Sequence, residues 1–446
     1  MLKLSRFMLP VALAMLALLP TAFAQDATEE PAPPPTATPI MAEAGSGSTQ
    51  IVFWNGLTGG DGVTLNQMTA AFAEANPDFK VNTESMGWDV MYQKLQAALV
   101  AGNAPDVVVM HQSELPQFAN FGALQPIDFI YGTGEDQIDP ADFSPASLEA
   151  VKYNGETYGV MLDNHGWGTW VNNALFEAAG LDPAVRPNNF DEFLALAQQL
   201  TLDANGNNAA SADFDEENIV QYGTSNTWLR VTFLTLFYQN GGTLVNEDGT
   251  VGVNSEAGMK ALQIMSDLIF KYHVAPKPAG FENGQSFAGG RLAILPDGSW
   301  MRNFLVNDNP DVEFTVWPMV QLGDNPGTWM SSHVFYIPST TSGDKLVAVQ
   351  KYIKWISDNN VMWAESGQIP ARLSSQAAMD PEVYPSNIVF AQGFNEFGQF
   401  DVQTPAIVEI TSALDPEIDA VLNGQKTVEE GLNAAAERIQ AILDRS

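Results

Sequence analysis

Tryptophan residues in loops and at the ends of expected strands are the side chains of this chain best suited to ligand chemistry. An indole ring offers a broad apolar face and one N–H donor, so it can stack on a ligand and also bind a polar group at its edge. That combination suits an uncharged ligand with many hydroxyl groups. Seven of the 10 Trp residues occupy such positions: Trp54, Trp88, Trp167, Trp170, Trp228, Trp300 and Trp329.

Polar side chains in the same loops are the candidates for hydrogen bonds to such a ligand. Asn55 and Thr58 follow the first expected strand, and Gln112 follows the third. Ligands of open α/β sheets bind beyond the carboxyl ends of the strands, so these positions predict a cleft. With the indoles they favour a sugar. The predicted ligand-binding residues are Trp54, Asn55, Thr58, Gln112, Asp163, His165, Trp167, Trp228, Asp297, Trp300, Trp329, His333 and Arg372, with a solvated Arg372 as an equal alternative.

Three of the 4 histidines also fall at the proposed cleft loops, namely His111, His165 and His333. Histidine is a common ligand of transition metals, but these residues lack the spacing of a metal motif. We therefore expect hydrogen-bonding or structural roles for them, with no metal site and no cofactor. A metal site is the alternative.

The loop at residues 203–218 is crowded with Asp, Asn and Glu. Asp203, Asn205 and Asn207 match the start of a calcium loop, but Asn208 and Phe214 stand where an EF-hand requires Gly and Glu. A solvated acidic loop is the expectation here, and a structural calcium ion is the alternative.

The charge balance excludes several classes of partner. The chain of 446 residues has 53 Asp and Glu against 19 Lys and Arg, which gives a formal net charge of -34. Such a surface repels phosphate backbones and anionic membranes, so we expect no nucleic-acid partner. No cluster of Lys and Arg marks the cleft loops, which argues against a polyanionic ligand.

The beginning of the chain indicates export. Residues 1–24 are typical of a signal peptide, with a basic start, an apolar stretch and an A-x-A cleavage site. Residues 25–49 are rich in Pro, Thr, Gly and Ser and predict a disordered linker. With no Cys, the chain has no disulfide and no residue to carry a lipoprotein's lipid. We expect a protein of the periplasm or the extracellular face that is not a lipoprotein.

Strands and helices are expected to alternate in the first part of the chain. Apolar runs and helical periodicity predict strands at 50–55, 79–84 and 106–110, with helices at 63–75 and 88–101. This order predicts a parallel α/β sheet with crossover helices. Capping boxes at Asn189 and Thr427 predict the starts of two later helices.

Segments spread along the chain resemble bacterial extracellular solute-binding proteins of the sugar-binding class. They are NAPDVVVM (103–110), GALQPID (122–128), YGVMLDNHGWGTWVN (158–172), FAGGRLAILPDGSW (287–300), SSHVFYIP (331–338), GQIPARLS (367–374) and GQKTVEEGL (424–432). The resemblance implies an α/β fold of two lobes with a hinge and an interlobe ligand cleft. The implied lobes are 50–161 plus 335–383 and 162–334 plus 384–446, with chain crossings near 161–165, 331–335 and 381–388.

The resemblance also implies a function. Members of this family capture a sugar or oligosaccharide by hinge closure and deliver it to the membrane permease of an ABC transporter. On this basis we expect a monomeric binding protein that is not an enzyme. One alternative is a secreted carbohydrate-active enzyme, because acidic residues are abundant and a pair of carboxylates could meet in the fold. The other is a receptor for a polyol, an amino acid or a metal complex.

Overall fold

The computed structural model describes residues 39–246 and 248–445. The predicted signal peptide and residues 25–38 of the predicted linker lie outside the described residues. The strands are β1 (Ile40–Gly45), β2 (Thr49–Asn55), β3 (Phe79–Ser85), β4 (Val107–His111), β5 (Lys152–Tyr153), β6 (Glu156–Thr157), β7 (Gly159–Met161), β8 (Asp163–Asn172), β9 (Leu202–Asp203), β10 (Ile219–Gln221), β11 (Ile294–Gly298), β12 (Phe314–Pro318), β13 (Thr328–Ser331), β14 (His333–Tyr336), β15 (Ile369–Pro370) and β16 (Gly398–Phe400). The helices are α1 (Gly60–Ala75), α2 (Trp88–Ala101), α3 (Leu115–Asn120), α4 (Pro145–Ala150), α5 (Asn173–Ala178), α6 (Phe190–Leu200), α7 (Leu229–Gln239), α8 (Glu256–Phe270), α9 (Asn283–Ala288), α10 (Met301–Asn303), α11 (Gly343–Asp358), α12 (Leu373–Ala377), α13 (Pro385–Phe397), α14 (Ile407–Leu422) and α15 (Val428–Leu443).

The first sheet has the strand order β1-β3-β2-β4-β14-β7. Strand β2 runs parallel to both β3 and β4, as the alternation of strands and crossover helices predicts. The strands and helices expected between residues 50 and 110 are present, with ends that differ from the prediction by no more than three residues. The helix caps predicted at Asn189 and Thr427 are also present, because each side chain accepts a hydrogen bond from the N–H three residues on.

Part of the predicted linker belongs to this sheet, which corrects the sequence expectation of disorder over 25–49. Residues 40–45 form β1 and pair antiparallel with β3, from Ile40 opposite Ser85 to Gly45 opposite Lys80. Pairing at a sheet edge needs only backbone N–H and C=O groups, so it leaves little trace in side-chain pattern. An ion pair of 3.0 Å between Glu43 and Lys80 joins the two strands.

The second sheet is organised around the long strand β8. Its order is β11-β8-β13-β16, and both β12 and β15 also pair with β8. All residues of β8 are buried. A strand that is covered on both faces loses the alternation of apolar and polar residues, which explains its uniform burial.

Three chain segments cross between the two sheets. Strand β7 continues into β8 through Leu162, and β13 continues into β14 through Ser332. The third segment is β15, where Ile369 lies opposite Asn164 and Pro370 opposite Asp163. The third crossing therefore lies at 369–370 and not at the expected 381–388, because Met379, which follows β15, already packs in a cluster with Trp170 of β8.

Separate hydrophobic cores lie under the two sheets. One core takes its buried residues from 51–162 and 334–371, and another takes them from 167–329 and 406–442. A third cluster joins Trp170 and Phe390 to Met379. The exact lobe boundaries stay a prediction. No helix within residues 39–246 and 248–445 has both the length and the apolar character needed to cross a bilayer.

We predict that Gly166→Ala destabilises the crossing region. A Cβ atom at Gly166 would lie 2.6 Å from the carbonyl oxygen of Trp329 and 2.9 Å from the Cα atom of Met330, so β8 and β13 would have to separate. Overpacking of this kind costs about 1–3 kcal/mol, measurable as a fall in the free energy of unfolding in urea. Gly87→Ala is the matched control, because a Cβ atom there meets nothing within 4 Å. Equal effects of the two substitutions would contradict the close approach.

Candidate functional site

Three histidines and a tryptophan meet where the two sheets approach each other. His333 at the start of β14 lies directly opposite His111 at the end of β4. The ring centroids of His165 and His333 are 4.3 Å apart, and those of His111 and His333 are 5.2 Å apart. The indole of Trp88 stacks on His333 with an interplanar angle of 7°, and its ring centroid lies 4.1 Å from that of His111.

The position of Trp88 depends on a glycine after β2. A Cβ atom at Gly56 would lie 2.0 Å from the ring of Trp88, so the indole rests directly on the backbone at this position. The helix α2 begins at Trp88, which places the side chain at the end of the helix that faces the carboxyl ends of β2 and β4. Gly56 thus makes room for the ring beside the histidines.

Asp163 is the polar centre of this group. Its carboxylate accepts hydrogen bonds from Nδ1 of His165 at 3.1 Å and Nδ1 of His333 at 2.7 Å. It also accepts the backbone N–H of His333 at 2.9 Å and the indole N–H of Trp363 at 2.8 Å. The carboxylate is fully buried, and four donors satisfy it.

The charge states in this group follow from burial and from that carboxylate. Burial alone would raise the pKa of Asp163, but His333 and the imidazole hydrogen bonds hold it below its usual range. Burial alone would lower the pKa of His333, but Asp163 raises it. Burial and the neighbouring His333 lower the pKa of both His111 and His165. The carboxylate of Asp163 thus favours the protonated form of His333, whereas burial favours the neutral forms of His111 and His165.

His111 is oriented by a tyrosine on α2. Its Nδ1 atom lies 2.7 Å from the hydroxyl of Tyr92, which also accepts the His111 backbone N–H at 3.1 Å. In all three histidines Nδ1 therefore has a partner. Within the described part of the chain, no hydrogen bond involves Nε2 of any of them.

A group of indoles from the second sheet lies next to the histidines. The ring centroid of Trp300 is 5.6 Å from Trp167, 5.8 Å from Trp228 and 6.2 Å from His165. Trp329 lies 6.0 Å from His165. These contacts form a continuous row of rings from the histidines to Trp228 at the surface.

Trp228 is the exposed end of this row. The residue is 62% exposed, and its backbone has a left-handed φ of 43°. A non-glycine residue in this conformation costs about 1–3 kcal/mol, which suggests a functional reason for the geometry. Its indole N–H donates to Oδ1 of Asp297 at 3.1 Å. Burial raises the pKa of Asp297 to about 7, although hydrogen bonds from the Gly298 N–H and two indoles oppose that rise.

Several buried polar atoms in this region lack a hydrogen-bond partner. Both amide atoms of Gln112 are unpaired, although the residue is only 1% exposed. The side-chain oxygen of Asn164 and the indole nitrogen of Trp167 are also unpaired. Unpaired buried polar groups are costly, so their concentration beside the rings indicates a place where a polar ligand supplies the missing partners.

Five predicted ligand-binding residues pack or pair within the protein, namely Trp54, Asn55, Trp167, Trp329 and Arg372, and of these Trp167 and Trp329 are buried in the second core. Trp54 is buried in the first core under the ammonium group of Lys94, and Asn55 accepts the Leu57 N–H in a turn. Thr58 is exposed, with no side-chain hydrogen bond among the described residues.

Arg372 forms ion pairs at the surface of the first lobe. Its guanidinium group lies 2.6 Å from Asp142 and 2.8 Å from Asp358. Arg372 was predicted either to bind the ligand or to be solvated. The structure shows neither role, because the side chain is half-buried and paired with two carboxylates.

The predicted list of ligand-binding residues omitted three residues that the structure places in the group, although His111 and Trp88 had been noted at the expected cleft loops. His111 ends the apolar run of β4, and Trp88 begins α2 directly after a glycine, so both positions carried a signal. The position of Trp363 carried no such signal, because its contact with Asp163 joins residues 200 positions apart.

The acidic loop at 203–218 is internally satisfied. The Asp203 carboxylate accepts the backbone N–H groups of Asn205, Asn207 and Asp215, and also the side-chain amide of Asn207. These hydrogen bonds lower the pKa of Asp203 to about 2 against the opposing effect of desolvation. A calcium ion would have to displace donors from this carboxylate, and calcium binding stays an untested alternative.

The known proteins that this chain resembles are solute-binding proteins. The family model of bacterial extracellular solute-binding proteins matches residues 67–389. The lactose-binding protein of Rhizobium radiobacter is 21% identical to this chain, and the match covers 90% of this chain and 94% of that protein. The maltotriose-binding protein of Pyrococcus abyssi is 22% identical, and the match covers 86% of this chain and 80% of that protein. The structure resembles an ABC substrate-binding protein from Listeria monocytogenes in complex with cycloalternan, with a TM-score of 0.74, 23% identity, and coverage of 88% and 98%. This likeness confirms the predicted two-lobed α/β fold.

We predict that Asp297→Asn removes a pH-dependent loss of stability. The pKa of Asp297 rises from 3.8 to about 7 on folding, so its contribution is fully present below pH 4 and is lost as the pH rises to 7. The variant should therefore gain stability relative to the wild type over this range, by up to about 4 kcal/mol, and the gain should level off above pH 7. Urea denaturation at pH 4 and pH 8 measures it. Asp311→Asn, which removes an exposed carboxylate of the same lobe, is the control; a parallel gain there would contradict the assignment to Asp297.

Proposed function

This chain belongs to the family of bacterial extracellular solute-binding proteins, and from that premise we propose how its cleft binds a sugar or oligosaccharide. The family resemblance inferred from the sequence is confirmed. Its role is the extracytoplasmic capture of saccharide for an ABC transporter. The names of its relatives mention lactose, maltotriose and cycloalternan, and they support a saccharide rather than identify one.

The observation that carries this proposal is the pairing of stacked indoles with unsatisfied buried polar atoms. Trp228 is exposed and packs against Trp300, and Gln112, whose backbone N–H donates to the Ser332 carbonyl at a lobe crossing, has a side-chain oxygen and nitrogen that both lack partners. A sugar hydroxyl both donates and accepts, so a saccharide can satisfy an amide while its C–H face covers an indole. An apolar ligand would leave the amide unpaired, and a phosphate would meet no cluster of cations.

Hinge closure follows from the crossing segments. Gln112 and Trp88 belong to the first lobe, and Trp300 and Trp329 belong to the second. A ligand that contacts both groups binds the closed arrangement more tightly than an open one and shifts the population toward closure. The lobes already approach each other at the rim, since a Cβ atom at Gly60 would lie 2.9 Å from the side-chain nitrogen of Asn303.

The partners follow from this role. We propose that the closed form is recognised by the transmembrane subunits of an ABC permease, and that the exported protein acts as a monomer that is not lipid-anchored. We also propose that it makes and breaks no bonds. The buried carboxylate nearest the histidines, Asp163, is occupied by four donors, so it is not free to act as a base.

We predict opposite effects of Gln112→Met on stability and on sugar binding. Removing an unpaired buried amide should leave the ligand-free melting temperature unchanged or raise it. The dissociation constant for a bound saccharide should rise at least about tenfold, which corresponds to about 1.4 kcal/mol. Isothermal titration calorimetry with lactose, maltotriose and cycloalternan measures the affinity.

The matched control is Gln125→Met. The Gln125 amide already donates to the carbonyl oxygens of Pro338 and Thr341, so this change should lower the melting temperature and leave affinity unchanged. A purely structural Gln112 would behave like Gln125. The proposed function itself would be contradicted if the protein bound none of the three saccharides and no other sugar in a thermal-shift screen.

A further inference from the structure

We propose that His111, His165 and His333 form a binding site for a divalent transition-metal ion, with Zn²⁺ as the representative ion. This site goes beyond saccharide capture and departs from the sequence expectation of no metal. It rests on the spacing of the rings, on the partners of their nitrogen atoms and on the position of the group in the fold.

The spacing of the three side chains suits a single ion. One ring nitrogen can be chosen from each histidine, either Nδ1 or Nε2, so that all three lie within 4.8 Å of one another. Zn–N bonds of about 2.0–2.1 Å in tetrahedral geometry place nitrogen atoms about 3.4 Å apart. Each nitrogen would therefore move toward the ion by about 1 Å when it binds.

The hydrogen bonds of the three rings involve Nδ1 and leave Nε2 without a partner among the described residues. Nδ1 of His165 and His333 is bound to Asp163, and Nδ1 of His111 is bound to Tyr92. Metal-binding histidines usually donate their other ring N–H to a carboxylate or similar acceptor, which fixes the ring orientation. Nε2 of each ring has no partner within the described residues and is therefore the available ligand atom.

The donor set selects the class of ion. Three imidazole nitrogens suit Zn²⁺ and its neighbours among the transition metals, whereas Ca²⁺ and Mg²⁺ prefer oxygen ligands. The Asp163 carboxylate behind two of the rings offsets part of the positive charge of the ion. Three protein ligands leave a fourth position, which water or a ligand oxygen can fill.

The ion would join the two lobes. His111 and His333 belong to the first sheet, whereas His165 belongs to β8 of the second. A bound ion would therefore hold the start of β8 against the first sheet, on the side of the histidines where Trp300 and Trp329 lie.

The first experiment measures metal binding by the full protein after treatment with a chelator and desalting. Titration with ZnCl₂ in a calorimeter, without sugar, should show one Zn²⁺ per chain, and elemental analysis should find the same ratio after a second desalting. CaCl₂ should give no comparable heat at the histidines. Binding only at millimolar Zn²⁺, or a ratio near zero, would overturn the proposal and leave the saccharide function untouched.

The second experiment assigns the ligands with His165→Asn. The Asn side-chain amide can replace the Nδ1–H donor to Asp163, whereas Nε2 is lost. Zn²⁺ affinity should fall by more than about 100-fold, beyond the range typical of changes behind the ligands. His273→Asn is the matched control, because His273 pairs with Glu216 elsewhere on the second lobe. Loss of binding in His273→Asn, or full binding in His165→Asn, would overturn the proposal.

A spectroscopic measurement on the wild-type protein covers the case in which a variant fails to fold. Co²⁺ added in place of Zn²⁺ should give the intense visible absorption of a four-coordinate nitrogen site, and excess Zn²⁺ should abolish it. Co²⁺ that keeps the weak spectrum of the hydrated ion would also overturn the proposal.

Discussion

The buried carboxylate of Asp163 is the interaction on which the rest of this structure depends. It lies at the start of β8, and its four donors come from β8, from β14 and from the 3-10 helix at 360–366 that contains Trp363. Strands β8 and β14 belong to two of the segments that cross between the lobes, and the helix at 360–366 leads into the third, β15. A buried charge is tolerated only when it is paired and fully hydrogen-bonded, so the segments have to meet in one arrangement. The same requirement fixes the rings of His165 and His333, and through them the stack with Trp88.

Local patterns predicted much of the fold. The alternation of strands and helices between residues 50 and 110 and the capping box at Thr427 depend on neighbours in sequence, and the structure contains them. Pairings between distant residues were not predictable in this way. The edge strand β1 reads as linker because its pairing uses backbone groups, and the third crossing at β15 depends on contacts with residues about 200 positions away.

The candidate site shows the same division. Strand ends directed attention to Gln112, His165 and Trp300, which lie after β4, within β8 and after β11, and their role in ligand binding stays a prediction. Residue type alone could not separate an indole of the cleft from one of a core, so Trp54 was assigned to the ligand but packs in the first core. The histidines illustrate the limit most clearly. Their positions at strand ends indicated a shared cleft, but their separations in sequence, 54 and 168 residues, gave no metal motif, and their close contact depends on how β4, β8 and β14 are arranged.

The edge strand β1 has a consequence for the behaviour of concentrated protein. The outer edge of β3 would otherwise present free backbone groups, which can recruit a strand from a neighbouring molecule and start aggregation. Strand β1 covers that edge and places Glu43 on the new one, in a chain whose formal charge is -34. Two copies that approach edge to edge therefore meet like charges. In a crowded compartment outside the cytoplasm, this arrangement favours molecules that remain dispersed.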